Sequence, residues 1–185
     1  MTENKEKTGM TEDLLDEDEE DTQRDKYLTF AVGREDYGIA ICHVTEIIGI
    51  QKITEVPDMP EHVKGVINLR GKVIPVMDVR LRFRMEQRDY DDRTCIVVVD
   101  VNNAAIGLVV DTVKEVADIP ANQIEPPPDV SDGNRQLFIQ GLGKVGDEVK
   151  ILLDVGKLVR KDEMPSIPAL AALHQQPGQA QAMAL

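Results

Sequence analysis

Residues Tyr27–Ile47 recur without a gap as Ile96–Val116. The shared letters are Val32/Val101, Gly38/Gly107, Val44/Val113 and Glu46/Glu115, and the other apolar positions exchange mostly Ile, Leu and Val. A second block follows in each half. Gly71-Lys72-Val73 aligns with Gly143-Lys144-Val145, and Met77-Asp78-Val79 with Leu153-Asp154-Val155 across a four-residue insertion. A chain made twice from one unit of ~65 residues has units too small to bury a large core singly. The fold must therefore pack the two units together, and the seam between them is a natural place to bind something.

The pattern inside each unit is that of short strands. Leu28, Phe30 and Val32 alternate toward one face, a polar turn follows at Gly33–Asp36, and a second strand starts at Tyr37. Asn102-Asn103 after Cys95–Val101 suits a tight hairpin, because Asn tolerates left-handed backbone. The apolar spacing lengthens from two to three around Val44 and Ile47, and again around Val113 and Val116, so a bulge or helical turn must interrupt each strand. Val56-Pro57 to Pro60 and Pro126-Pro127-Pro128 break the two copies at matching points. A further hairpin follows each break, around Arg70-Gly71 and around the Gly-rich turn before Val149. The expectation is an all-β protein of two small barrels, which close their own strand edges, with short helical turns such as one within Asp154–Lys161. Residues 26–88 form the first barrel, residues 89–161 the second, and residues 1–25 and 162–185 two flexible ends.

Composition supports this and excludes several functions. Three Phe, three Tyr and no Trp leave the core to Val, Ile and Leu, which favour strands. The net charge is −13, of which residues 1–26 carry eleven acids and four bases. The run Asp16-Glu17-Asp18-Glu19-Glu20-Asp21 repels itself and is expected to be disordered, with Leu14-Leu15 as a possible short docking motif inside it. The rival from another class is a nucleic-acid- or small-ligand-binding barrel, which an acidic balance with few aromatics opposes, as it opposes binding to an anionic membrane. There is no apolar run of membrane-spanning length and no apolar leader. Cys42 and Cys95 read as buried thiols of a reducing compartment.

Three His and two Ser sit in no nucleophile elbow or metal-ligand spacing, so no enzyme, metal or cofactor is expected. Gly141-Leu142-Gly143-Lys144-Val145-Gly146 fits a dinucleotide fingerprint by its letters. Asp147, Glu148 and an apolar strand pattern follow it where a helix N-terminus should face phosphate, so it reads as a hairpin turn.

Departures from the repeat are the candidates for function. Arg70 lies at a hairpin tip and aligns with Leu142, so the architecture does not require an arginine there. Gly71 recurs as Gly143 and reads as a left-handed turn residue. Glu46, repeated as Glu115, is placed to pair with Arg70 across the first barrel. An exposed pair of this kind contributes only about 0–1 kcal/mol, so loss of function without loss of stability would mark Arg70 as a contact residue.

At these residues the chain resembles the CheW family of bacterial chemotaxis coupling proteins. The resemblance spans about Lys26 to Lys161 and rests on three ordered stretches. They are Tyr37-Gly38-Ile39 with Val44 and Glu46-Ile47; Val56-Pro57 with Gly65-Val66-Ile67-Asn68-Leu69-Arg70-Gly71 and Ile74-Pro75-Val76; and Gly107-Leu108-Val109-Val110-Asp111 with Val113 and Val116. The resemblance implies two tandem SH3-like five-stranded β-barrels on a shared hydrophobic core. It also implies a non-catalytic adaptor between the cytoplasmic tip of methyl-accepting chemotaxis receptors and the regulatory domain of the histidine kinase CheA, cytoplasmic at membrane-associated arrays. Such an adaptor is a monomer alone and joins rings with the kinase. On the family pattern the receptor-binding groove is lined by Val44, Cys95, Val113 and Val116, with Glu46, Arg70 and Gly71 at its rim. No residues single out a kinase-facing surface. Within the same scaffold class, the ends leave open a structural ring component or an adaptor of a parallel pathway for surface motility or development.

Overall fold

A computed structural model describes residues 22–128, 137–160 and 162–164. The first copy supplies β1 (Lys26–Val32), β2 (Glu35–Ala40), a 3-10 turn (Ile41–His43), β3 (Val44–Gly49), β4 (Val63–Leu69), β5 (Lys72–Asp78) and the short helix α1 (Val79–Arg82). The second supplies β6 (Cys95–Val101), β7 (Ala104–Val110), β8 (Thr112–Asp118), a 3-10 turn (Ala121–Gln123), β9 (Ile124–Glu125), β10 (Ile139–Val145), β11 (Glu148–Leu153) and α2 (Val155–Leu158). The expected Asn102-Asn103 turn is present with both residues at positive φ, joining Val101 to Ala104 in register.

The strands make two sheets, ordered β8-β1-β2-β11-β10-β9 and β3-β6-β7-β5-β4. Each sheet thus combines two strands of one copy with the last strands of the other. The expected division into one barrel at 26–88 and another at 89–161 is corrected here: those bounds separate the two copies, while each barrel draws on both. The exchange follows from the connections. After its second strand each copy leaves one sheet for the other, through Ile41–His43 in the first and through the single residue Asp111 in the second.

Both sheets curl closed by the same device. β9 continues β8 beyond the 3-10 turn and pairs with β10, while Thr54, downstream of β3, exchanges two backbone hydrogen bonds with Val66 of β4. The approach is close enough to require glycine. A Cβ on Gly65, at φ +139°, would lie 2.0 Å from the Thr54 carbonyl oxygen, and one on Gly141 would lie 2.9 Å from that of Glu125.

These contacts revise the internal alignment. Gly65 pairs with Val76 and Gly141 with Leu152, after a bulge at the same point, and the hairpins end at Arg70-Gly71 and Gly146-Asp147. The second block therefore matches with no insertion inside it: Gly65 answers Gly141 and Arg70 answers Gly146. Gly143 lies within β10 under Ile119 and is no counterpart of Gly71. The Gly-Lys-Val match was a coincidence of short strings. The match of Met77-Asp78-Val79 to Leu153-Asp154-Val155 is physical, because Asp78 and Asp154 both accept backbone amides at a helix N-terminus.

The shared core lies between the sheets. Leu28, Phe30 and Val32 of β1 meet Val97, Val99 and Val101 of β6 there, with Ile106, Leu108 and Val110 of β7. The opposite face of β6 and β7 packs Ile96, Val98 and Val109 inside the second barrel, which explains their unbroken apolar runs. Tyr27, Ala117, Ile119 and Leu152 fill the first.

The ends differ from expectation in detail. Asp25 already accepts a hydrogen bond from the Ile119 amide, and Met164 packs against the shared core. The remainder of the acidic arm, residues 1–21, and the tail 165–185 lie outside the described residues, as do 129–136. Cys42 is not the buried thiol expected: it is exposed on the 3-10 turn crossing between sheets, while Cys95 is half-buried and both are free.

Candidate interaction site at the edges of the two barrels

β3 and β8 are repeat-equivalent, and each begins at the sheet edge where its copy has just crossed over. Each carries a bulge, between Val44 and Glu46 in β3 and opposite Leu28/Phe30 in β8. The extra residue explains the three-residue apolar spacing. Val44 pairs with Val99 and Ile47 with Val97, and both of those partners face the shared core. Val113 and Val116 likewise pair with Phe30 and Leu28. Without the bulge, the second residue of each pair would turn to the opposite face.

Four of the seven expected groove residues therefore relate to one apolar layer. Val44, Cys95 and Val113 are half-buried against the shared core, and Val116 continues the same face of β8 with 50% exposure. Ile47, its counterpart on β3, is 43% exposed and was not among the expected lining residues. The repeat itself carried that signal, since Ile47 aligns with Val116. Ile47 and Val116 are thus the repeat-equivalent apolar side chains that the two edge strands leave open.

Glu46, Arg70 and Gly71 form a separate group. The Arg70 guanidinium donates to both Glu46 oxygens, at 3.0 and 2.8 Å, so the tip of the β4–β5 hairpin is fastened to β3 across the closure of the second barrel. Arg70 remains 77% exposed while Glu46 is largely covered. Gly71 is exposed at φ +82° and its amide donates to the Asn68 side chain. Arg70 itself has φ +51°, where the second copy places Gly146 at φ +60°. A side chain in this region costs about 1–2 kcal/mol. The turn would fold better with glycine, so the arginine is held against a local preference.

Asp111, quoted within the Gly107 motif, proves to be the clasp of the crossover. Its carboxylate accepts from Arg80 Nε at 2.9 Å and from the Gly33 amide at 2.8 Å, with Arg88 3.7 Å away. Burial pushes this carboxyl up, but the Arg80 and Gly33 hydrogen bonds and the charges of Arg80 and Arg88 outweigh it and hold it below the usual carboxylate range. Asp36 is similarly depressed, with burial opposed by Lys114 and the buried Lys150. No group of three His, Cys, Asp or Glu suited to a metal occurs among the described residues, and no helix among them is long and apolar enough to cross a membrane.

Two interleaved SH3-like barrels on one core, with apolar edge strands and a braced arginine at a hairpin tip, define a small-barrel scaffold. The chain belongs to the CheW family: the CheW-like domain model matches residues 26–163. It is 35% identical to the chemotaxis protein CheW of Klebsiella aerogenes over 154 residues, covering 83% of this chain and 93% of that protein. It is 33% identical to CheW of Helicobacter pylori, covering 74% and 82% of the two chains, and 30% identical to protein FrzA of Myxococcus xanthus, covering 73% and 85%. Among solved structures it resembles the scaffolding protein TtCheW of Thermoanaerobacter tengcongensis, with a TM-score of 0.70 and 37% identity over 76% of this chain and 97% of that one.

Proposed function

We propose that this chain is a non-catalytic chemotaxis adaptor that takes the helical hairpin tip of a methyl-accepting receptor on its β3 and β8 edges and couples it to the histidine kinase CheA. Membership of the family supports the adaptor role. The observation that carries the receptor-facing assignment is Arg70, kept in left-handed backbone where the sister copy has glycine, and still mostly exposed after pairing with Glu46. In this reading Val44, Ile47, Cys95, Val113 and Val116 supply apolar contact to a helix, whose anchors fall three and four residues apart. Glu46, Arg70 and Gly71 meet its polar flank, where a forked donor is well suited. Kinase and receptor together place the working adaptor in the cytoplasm at receptor arrays.

The test is kinase autophosphorylation with receptor-bearing membranes, with and without this protein and with Arg70→Glu. Strong activation by the wild type, lost in a variant that melts normally, is the expected result. Co-sedimentation with receptors without activation would instead indicate a structural ring component.

A further inference from the structure

The two junctions where one copy meets the other are equivalent in the repeat but not in chemistry. In the first, β11 of the second copy runs parallel to β2 of the first, with Ile151, Leu152 and Leu153 against Tyr37, Gly38 and Ile39. In the second, β5 of the first copy runs parallel to β7 of the second, with Val76, Met77 and Asp78 against Gly107, Leu108 and Val109. Counted from the hairpin tips Arg70 and Gly146, Ile74 answers Lys150, and the Tyr27/Ile96 repeat makes Ala105 the counterpart of Asp36. Ile74 and Ala105 pack in one apolar cluster at the head of the second junction. The first junction holds a buried ion pair at the same point. Lys150, only 2% exposed, donates to Asp36 and to Glu148, and Asp36 also accepts from Lys114 at 2.8 Å. Burial pushes the Lys150 ammonium down, but its hydrogen bonds and attraction to Asp36 and Glu148 outweigh that and hold it above the usual lysine range. Both cations belong to the second copy, and the acid they share belongs to the first.

A chain made twice from one unit can also pair like copies of two chains, because exchange of equivalent elements is a low-cost route to dimers. Residues 84–94 between the copies, ~36 Å when extended, would let each chain give one copy to each of two bodies. We propose that the Asp36–Lys150 pair prevents this by making β2 and β11 complementary only across unlike copies. With first copy on first copy, Asp36 would face Ile74, and Thr45 would stand in place of Lys114. With second copy on second copy, Lys150 would face Ala105 and keep only the exposed Glu148 of its own strand. Each arrangement leaves a buried charge without its counter-ion, which is far costlier than burying the pair. The apolar second junction discriminates nothing, since Ile74 and Ala105 carry no charge. The gain from the ion pair lies in selection and not in strength, because apolar side chains of similar volume often stabilise a buried site as well.

The test is refolding of the full chain from denaturant at high protein concentration, read by light scattering and by NMR. The wild type should return as a monomer with Gly38 against Leu152. Asp36→Ala/Lys150→Ile gives the first junction the side chains of the second. Its dimer-to-monomer ratio should rise about a hundredfold, the factor that leaving a buried charge unpaired withholds. The dimer should show nuclear Overhauser contacts of Gly38 to the Val76 methyls and of Gly107 to the Leu152 methyls, which only like-copy pairing brings together. Should that variant fail to fold, Asp36→Asn/Lys150→Met keeps both shapes, removes both charges and should give the same dimer. A neutral variant that refolds as a monomer with Gly38 still against Leu152 would overturn the proposal. So would a dimer that keeps that contact between chains. Failure of both variants to fold would overturn it too, by making the pair necessary to the fold itself and not to the choice of partner.

Discussion

Arg70 sits where three residue-scale effects meet: an unfavourable backbone region, an exposed ion pair and a repeat partner that is glycine. The backbone costs about 1–2 kcal/mol and the pair returns about 0–1 kcal/mol. Arg70→Gly removes both together, so its melting temperature should equal or exceed that of the wild type while kinase activation in receptor membranes is lost. A clear fall in melting temperature would instead make the arginine structural. Asp111 is the opposite kind of residue. Its carboxyl is depressed when folded, so its contribution is complete above the unfolded value of about 3.9 and disappears as pH falls through the lower folded value. In thermal melts between pH ~5 and ~2 the wild type should lose stability more steeply than Asp111→Asn, which should already be less stable at neutral pH. Equal slopes would remove the Arg80–Asp111 clasp from the stability of the crossover.

At the scale of elements, the bulges in β3 and β8 decide which side chains the edges present, because they return Ile47 and Val116 to the seam face. Burying a valine fully against a partner is worth about 1.5 kcal/mol, or about tenfold in affinity. Val116→Asp should therefore weaken binding of a receptor tip by at least that factor in a titration. Val149→Asp, on β11 and 52% exposed, should leave it unchanged and so controls for surface charge. Equal losses in both would place the receptor elsewhere. The spacing of Val44 to Ile47 and of Val113 to Val116 made the interruption legible in the sequence, since only an added residue keeps such a pair on one face. The Asn102-Asn103 turn was legible for the same local reason, whereas Asp78 and Asp154 were visible as matching letters and only the structure makes them helix caps. The Gly65/Gly141 equivalence was not. Its cause is contact with Thr54 and Glu125 across the barrel closure, which no local window contains.

For the whole molecule, the main consequence is that neither copy owns a barrel. β1 and β2 depend on β8, β10 and β11, and β6 and β7 depend on β3, β4 and β5. A repeat in sequence is the same whether its strands pair within a copy or between copies, so the duplication revealed two units and a shared core but concealed the exchange. The parallel pairings that join the copies carry the evidence. Leu152 lies against Gly38, where a Cβ would come within 2.9 Å of it, and Val76 lies against Gly107, where the gap would be 3.3 Å. Each copy thus brings a glycine that admits a side chain of the other. A polypeptide of residues 22–88 would keep β1–β2 and β4–β5 as hairpins but lose β6 and β7 from the centre of their sheet, exposing the apolar layer on both faces. Hairpins alone are marginal in water. Residues 22–88 and 89–164, expressed separately, should each give the circular dichroism and amide spectra of unfolded chains. Mixed, they should recover the wild-type spectrum as a one-to-one complex. The intact chain should melt in a single transition. A fragment that folds alone, or two separated transitions in the intact protein, would mean that the barrels are independent and that the exchange of strands does not govern cooperativity.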